Sequence, residues 1–414
     1  MKVPGPRSKA LFPALRAFES RNVTFVDDDF PVFWETAAGS TVVDVDGNRY
    51  TDLTAAFGVA STGHSNPHVA EAIAVQAERL MHAMGDVHPT EIKSQLLQKL
   101  AQLVPGNDNK VFLASTGSEA VEAALKTAIV ATGRSAFVAF EGAYHGLSLG
   151  ALAVCGIEKF RAPFREILPR NNAFLPYPRQ AQDIEAMRAL LQTRSDIAGV
   201  IVEPIQGRGG CRVPPAGYLR GLREVCRTAG VLLILDEIYT GFGRTGTMFA
   251  AEYENVEADI TCLGKALGNG FPISAIVARA GVMDAWPATT GEALHTSTSL
   301  GNPMACAAAL ANIAALELAD LPGRARDVGA QLGPRLQRLR SSAQVSDVRG
   351  RGLMWGVEVN DAKCAERTVK NALGRGVILL QAGMQGNVLS ITPPLVIGTE
   401  ELFCAIDIVE ECIE

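Results

Sequence analysis

From about residue 110 onward, short apolar runs alternate with amphipathic stretches, at 111–114, 136–140, 199–202, 231–235, 260–263 and 273–278. Aliphatic runs this short read as buried strands, and their alternation with helical patterns predicts an α/β fold built on a mainly parallel sheet. The clearest run, 231–235, leads straight into Asp236-Glu237 and then a glycine-punctuated loop ending at Gly246. In an open α/β sheet the carboxyl ends of the strands are where ligands sit. Twenty-nine positions later (265 − 236 = 29) a second run ends in Gly264-Lys265. One strand therefore delivers a carboxylate to that edge and another delivers an amine.

The flanks read differently. Residues 1–20 are rich in proline and basic residues and then briefly helical in pattern, which predicts an arm over a surface or a partner subunit. Residues 42–53, with Gly47-Asn48 at the centre, read as a hairpin, and a helix is expected over 68–82 after the loop Gly63-His64 and Asn66-Pro67. A long alanine-rich helix begins near Pro303. Beyond it, 345–348, 353–359, 376–380 and 388–391 look like short strands framed by helices. These patterns divide the chain into an amino-terminal arm and part of a small domain (1–62), a large domain (63–302), and a linking helix with a carboxy-terminal small domain (303–414). The small α+β domain is expected to be built from both chain ends.

Composition narrows the function classes. Nearly half of the 414 residues are hydrophobic (48%) and a fifth are charged (20%), as in a globular enzyme. A net charge of −6 without any basic tract argues against a nucleic-acid partner. No apolar run approaches the length of a membrane span or signal peptide, so a cytoplasmic protein is expected. The eight cysteines form no Cys-x-x-Cys pair and are expected to be reduced thiols. His64 and His68 are four apart, but Pro67 and the loop between them argue against a shared metal-binding face, and no metal site is predicted.

Three further strand ends complete a chemical set. The run 111–114 leads into Ser115-Thr116-Gly117-Ser118-Glu119 and a strong helix, so helix-start amides stand beside small hydroxyls. That arrangement is a phosphate site or an ordinary capping box, and the residues alone leave both open. After 136–140 come Tyr144-His145-Gly146, which offer a ring for stacking or a loop aromatic packed on its neighbours. After 199–202 comes Glu203-Pro204, a second acidic strand end. A phosphate nest, an aromatic ring, a strand-end carboxylate and a strand-end lysine together describe a pocket for a phosphorylated aromatic heterocycle that forms an imine with lysine. Pyridoxal 5'-phosphate fits each element.

The sequence resembles the class III, or omega-type, aminotransferases, a family of fold-type I pyridoxal-phosphate enzymes, over nearly its whole length. The resemblance rests on Thr116-Gly117-Ser118-Glu119-Ala120, Tyr144-His145-Gly146, Glu203-Pro204-Ile205-Gln206-Gly207, Asp236-Glu237-Ile238, the run Thr240 to Gly246, Gly264-Lys265, and Thr298 with Gly301-Asn302-Pro303. It implies that Lys265 forms the imine, Asp236 pairs with the pyridine nitrogen, and Ile238 and Tyr144 sandwich the ring. It implies that Gly117 and Ser118 hold the phosphate, with Thr116, His145, Glu203 and Tyr239 also near the cofactor. Thr298 would reach the phosphate of the neighbouring subunit's cofactor, in a homodimer with shared active sites. The implied reaction moves an amino group from an amino acid or amine to a keto acid in two half-reactions.

Two positions depart from the family pattern. Many members carry an arginine for a substrate carboxylate where this chain has Ser390, which leaves Glu203 without its usual partner. Tyr239 stands where many have a glutamine near the cofactor's ring hydroxyl. Arg208 is a candidate replacement clamp, because a guanidinium is the natural fork for a carboxylate; a solvated loop arginine is the alternative. Trp34, Phe57 and the loop Asp86-Val87-His88 are expected to shape the substrate pocket. A racemase or lyase on the same cofactor is the rival reading, needing a second acid-base group opposite Lys265, with Tyr239 or Glu203 available. A non-catalytic binding protein has no need of the Lys265 and Asp236 pair.

Overall fold

The structure, a computed structural model, describes residues 2–23 and 32–413. The expected arm begins with a helix, Pro6–Phe18, and residues 24–31 of the predicted 1–62 segment lie outside the described residues. Three strands follow, β1 (Trp34–Ala38), β2 (Thr41–Asp44) and β3 (Arg49–Asp52), the last two forming the expected hairpin. The helix expected over 68–82 is shorter, Pro67–Arg79, with Asn66 as its cap.

Seven strands make the central sheet: β4 (Asn109–Ala114), β5 (Ala136–Phe140), β6 (Ala173–Leu175), β7 (Ile197–Val202), β8 (Leu232–Asp236), β9 (Ile260–Leu263) and β10 (Ser274–Arg279). Their spatial order is β4-β10-β9-β8-β7-β5-β6. The five strands from β9 to β6 pair in parallel. β10 runs antiparallel to both its neighbours, β4 and β9. Because of that reversal β10 starts, where the others finish, at the carboxyl edge, and there Ser274 Oγ donates to the Thr116 carbonyl at 2.6 Å. The apolar pattern of 273–278 carries no sign of this reversal, since a buried strand reads the same in either direction.

Helices cover both faces, which explains the continuous apolar runs. On one face Ala120, Val121, Ala124 and Ala128 of helix Gly117–Thr132 pack against Ile201, Ile234, Ile260 and Ile276. On the other, Leu219, Leu222 and Val225 of helix Tyr218–Ala229 meet Val200, Leu233 and Leu235. Neighbouring residues of one strand thus serve opposite faces, with the period of two that a pleated strand imposes.

Five more strands follow the long helices: β11 (Val345–Arg351), β12 (Met354–Val359), β13 (Val377–Ile378), β14 (Leu380–Ala382) and β15 (Val388–Ile391). The segment expected as one strand over 376–380 is two, in different sheets: Val377 pairs with Thr51 of β3, and Leu380 with Ser390 of β15. A single apolar run does not reveal a change of partner, so periodicity could not separate them. The carboxy-terminal part also reaches the amino-terminal segment through Thr392 N to Leu53 O (2.8 Å) and Leu395 N to Ser61 O (2.9 Å).

Arg244, only 1% exposed, locks this region to the loop after β8. Its Nη1 donates to the carbonyls of Leu353 (3.0 Å) and Pro393, while the Leu353 amide donates back to the Arg244 carbonyl. Burial pushes the guanidinium pKa down to about 10, which still leaves it charged at neutral pH. Replacing Arg244 by Met strands two buried carbonyls without donors, at an expected cost of about 2–4 kcal/mol. The check is a urea midpoint well below that of the wild-type protein, with an unchanged far-ultraviolet spectrum in buffer.

Candidate active site

The five predicted strand ends meet at the carboxyl edge of the central sheet. Asp236 is the last residue of β8, Glu203 follows β7, Tyr144 and His145 follow β5, the turn at Thr116 follows β4, and Gly264-Lys265 follows β9. Lys265 adopts a left-handed backbone, φ 42°, unusual for a residue with a side chain. It opens a single turn of 3-10 helix, Lys265–Leu267, whose Ala266 carbonyl accepts from Nδ2 of Asn312. Asn312 also accepts from the Thr62 hydroxyl at 2.7 Å, and the Thr62 amide donates to Asn269 Oδ1 at 3.0 Å. This buried amide network behind the lysine was missed in the sequence. Its one signal is a lone asparagine inside an alanine-rich helix.

Asp236 is buried, with Oδ2 at 2.7 Å from His145 Nδ1 and Oδ1 accepting from the Ile238 amide at 3.0 Å. Burial disfavours the His145 imidazolium, but the hydrogen bond and charge of Asp236 outweigh it and hold the pKa above the usual imidazole value. The other ring nitrogen, Nε2, is buried without a partner among the described residues. Burial pushes Glu203 up to about 7. Its usual partner is replaced by backbone: the amides of Tyr144 and Gly207 each donate to one carboxylate oxygen at 2.9 Å. For Lys265 burial lowers the pKa, against the pull of Asp236 and Glu203.

A cavity of about 250 Å³ is lined by Gly117, Ser118, Tyr144, His145, Glu203, Asp236, Ile238, Tyr239 and Lys265, with Gly146 and Leu147. At its mouth Thr116 caps helix Gly117–Thr132 in a reciprocal box with Glu119. The cap reading of this turn is seen directly: the hydroxyl and amide of Thr116 are spent on it, while Gly117 and Ser118, whose first-turn amides have no intrahelical acceptor, line the cavity. Ser118 Oγ is itself held by Ser148, which donates to Glu122 at 2.7 Å. Neither Ser148 nor Glu122 was singled out in the sequence.

A second cavity, about 390 Å³, shares Tyr144, Leu147, Glu203, Tyr239 and Lys265 with the first and adds Phe57, Phe160, Arg208, Leu380, Gln381, Ala382, Gly207 and Ser390. Arg208 is half-buried there and donates to the Gln381 carbonyl at 3.2 Å, so it is not a freely solvated loop arginine. Two expected pocket residues lie elsewhere. Trp34 is 43% exposed and stands edge-on to His64, 5.7 Å between ring centres, outside both cavities. Asp86 lines a separate 460 Å³ cavity with Trp286 and His295, and accepts from Thr296 at 2.7 Å. Thr298 is exposed and lines neither chamber of its own chain. His64 Nε2 is engaged by Asp52 at 2.7 Å.

Comparison with known proteins decides what this edge belongs to. The profile described as "Aminotransferase class-III" matches residues 24–413. This chain belongs to the class III aminotransferases. Among its class III relatives, the acetylornithine aminotransferase of Methanosarcina mazei is 40% identical over 381 residues, 92% of this chain and 91% of that one. The crystal structure of the ornithine aminotransferase from Toxoplasma gondii ME49 superposes with a TM-score of 0.89 at 32% identity, over 98% of this chain and 94% of that one. An amine transaminase from an uncultivated Pseudomonas species, in its PLP-bound form, gives 0.89 at 30% identity, over 96% and 98%. The protein is thus a pyridoxal-phosphate-dependent transaminase, with amino acids and keto acids as its substrates.

The smaller chamber suits the cofactor of a class III aminotransferase on observations of this chain alone. Its lining combines the first-turn residues Gly117 and Ser118, whose amides have no intrahelical acceptor, with the buried carboxylate of Asp236. Glycines keep it open: a Cβ on Gly146 would fall 2.7 Å from Ser118 Oγ, and one on Gly117 would press Ile238 Cδ1 at 3.1 Å.

The pair Asp236 and His145 makes a titration test. With Asp236→Asn the charge that sustains the imidazolium is lost, and the His145 midpoint is expected to drop below the ordinary imidazole value; side-chain nuclear magnetic resonance of the histidines reads it. In the wild-type protein the raised midpoint means that this pair stabilises the fold fully below about pH 6.5 and loses that contribution as pH rises through the folded pKa. Asp236→Asn should therefore cost more stability at pH 6 than at pH 9.

Proposed function

We propose that this aminotransferase runs both half-reactions from Lys265, with Asp236 and the helix-start amides holding the cofactor and Arg208 taking a substrate carboxylate. The observation that carries the reading is the convergence of Lys265 and Asp236, from adjacent parallel strands, on one cavity closed by free helix amides. Pyridoxal phosphate, when bound, supplies a carbonyl carbon that exchanges amines and a protonated ring that takes up the electrons left at a substrate carbon.

The remaining work falls to the chain. Lys265 Nζ binds the cofactor between turnovers and moves the proton at the substrate carbon; burial makes its neutral form, the one that accepts a proton, more accessible. Asp236, fixed by His145 and the Ile238 amide, keeps a negative charge at the ring-nitrogen end of the chamber. Ile238 and Tyr144, which both line the chamber, would flank the cofactor ring. The amides of Gly117 and Ser118, with the Ser118 hydroxyl, take the phosphate at the positive end of a 16-residue helix. Thr116 supports that site as a cap and not as a direct ligand. Thr298, exposed and remote from its own chamber, reaches the phosphate bound by the partner subunit in a homodimer. We place the enzyme in the cytoplasm, a reading supported by eight cysteines that all stand free.

The substrate chamber has apolar walls, Phe57, Leu147, Phe160 and Leu380, and one arginine, Arg208. Ornithine and its acetylated form, named in the relatives, are the first amino donors to test, with pyruvate and 2-oxoglutarate as acceptors. Lys265→Ala should abolish turnover while still binding the cofactor, seen as no donor-dependent change in the cofactor absorbance. A single L-amino acid supplied without keto acid should convert one equivalent per site and stop; accumulating D-enantiomer would instead indicate a racemase. Arg208→Ala should raise the Michaelis constant for the keto acid about tenfold or more, the scale of a lost charge-assisted hydrogen bond. An unchanged constant would remove Arg208 from the carboxylate site.

A further inference from the structure

Tyr239 is held at its hydroxyl and along both edges of its ring. Its hydroxyl lies 3.0 Å from Thr392 Oγ1, and Thr392 is tied by its amide to the Leu53 carbonyl at 2.8 Å. One edge of the ring faces Gly58, where a Cβ would fall 2.0 Å from Cε2; the other faces Gly207, where a Cβ would fall 2.1 Å from Cδ1. Gly207 does not adopt a left-handed backbone, so an alanine is conformationally permitted there and the space for the ring is what excludes it. The open face of the ring carries the Lys265 ammonium, 4.1 Å from the ring centre.

We propose that Tyr239 is a positioning residue for Lys265: its ring face holds the Nζ cation whenever the lysine is free, and Gly58 and Gly207 seat that ring. The inference rests on the reading of Lys265 as the catalytic amine. An aromatic face attracts an ammonium and not a neutral amine, most strongly where water is excluded. The other groups lining the cavities with Lys265 are Asp236 at the end of β8 and Glu203 after β7, whose charges also favour the cation, Tyr144 and His145 after β5, and Arg208. The ring adds direction to that attraction. It draws the amine to one wall of the chamber, so that during turnover the released lysine returns to one place, and it stands where many family members have a glutamine.

The test follows Lys265 in the full-length protein freed of cofactor, by the pH dependence of its acetylation with limiting acetic anhydride, read by peptide mass spectrometry. Tyr239→Phe keeps the ring and should leave the midpoint unchanged. Tyr239→Leu keeps an apolar filling without a π face and should lower the midpoint by about one pH unit. In the cofactor-loaded enzyme Tyr239→Leu should lower kcat about tenfold with little change in KM. Gly207→Ala, which displaces the ring, should move the midpoint in the same direction and carries the test if Tyr239→Leu does not fold. Equal midpoints in wild type, Tyr239→Leu and Gly207→Ala overturn the proposal, as does the same shift in the Phe and Leu variants. Borohydride reduction of the loaded enzyme separates the two readings: label on a lysine other than Lys265 overturns both, whereas label on Lys265 with an unmoved midpoint overturns this one alone.

Discussion

Asp236, Glu203 and Lys265 stand at neighbouring strand ends of one parallel array, where water is largely excluded, and the surrounding structure answers the electrostatic problem they create. A charge in such a place is tolerated only with partners. Asp236 has an imidazole and an amide, and Glu203 has two amides from two different loops. Each carboxylate takes one partner from its own loop and one, His145 or the Tyr144 amide, from the strand end after β5, so satisfying the charges also ties neighbouring loops together. The lysine differs, since as the proposed catalytic amine it would change state and position during turnover. Its backbone is anchored from behind through Asn312 and its Nζ lies over an aromatic face, without a carboxylate within bonding distance among the described residues.

How much of this was legible in the sequence depended on the kind of signal. Six of the seven central strands announce themselves as aliphatic runs, because helices on both faces demand apolar residues at every position. β6, three residues long and half-buried, has no such demand placed on it and was overlooked. The direction of β10 and the split between β13 and β14 were invisible, as pairing partners are chosen by distant segments. The strand ends carrying Asp236, Glu203, Tyr144 and Lys265 were readable as a set because each polar residue interrupts an apolar pattern at its end. An aromatic residue early in the chain gives no direction: Trp34 stands edge-on to His64 and lines neither cavity of its own chain. The replacement of an arginine by Ser390 was visible, but the answer to it, two backbone amides on Glu203, was not, since amides are common to every residue.

Ser390 and Tyr239, noted as separate departures from the family pattern, belong to one wall. Both line the larger chamber, and Tyr239 reaches β15's continuation at Thr392, two residues past Ser390. With a tyrosine against this wall and a serine on it, the chamber is aromatic and apolar on the side where other members present a guanidinium. Arg208, on the loop after Glu203, is the arginine that lines this same chamber.

The pairing of β3 with β13 has a consequence for how the chain comes to be folded. β3 is complete once residue 52 has been made, but its parallel partner begins 325 residues later (377 − 52 = 325). At ordinary synthesis rates that is an interval of about 20–60 s. During it the hairpin has an unmatched edge, of the kind that invites pairing with another chain. Contacts this distant in sequence are also slow to form, because the loop between them must be closed first. The amino-terminal hairpin therefore waits on the last tenth of the chain, and a protein cut short before β13 keeps a sticky edge that the finished enzyme hides.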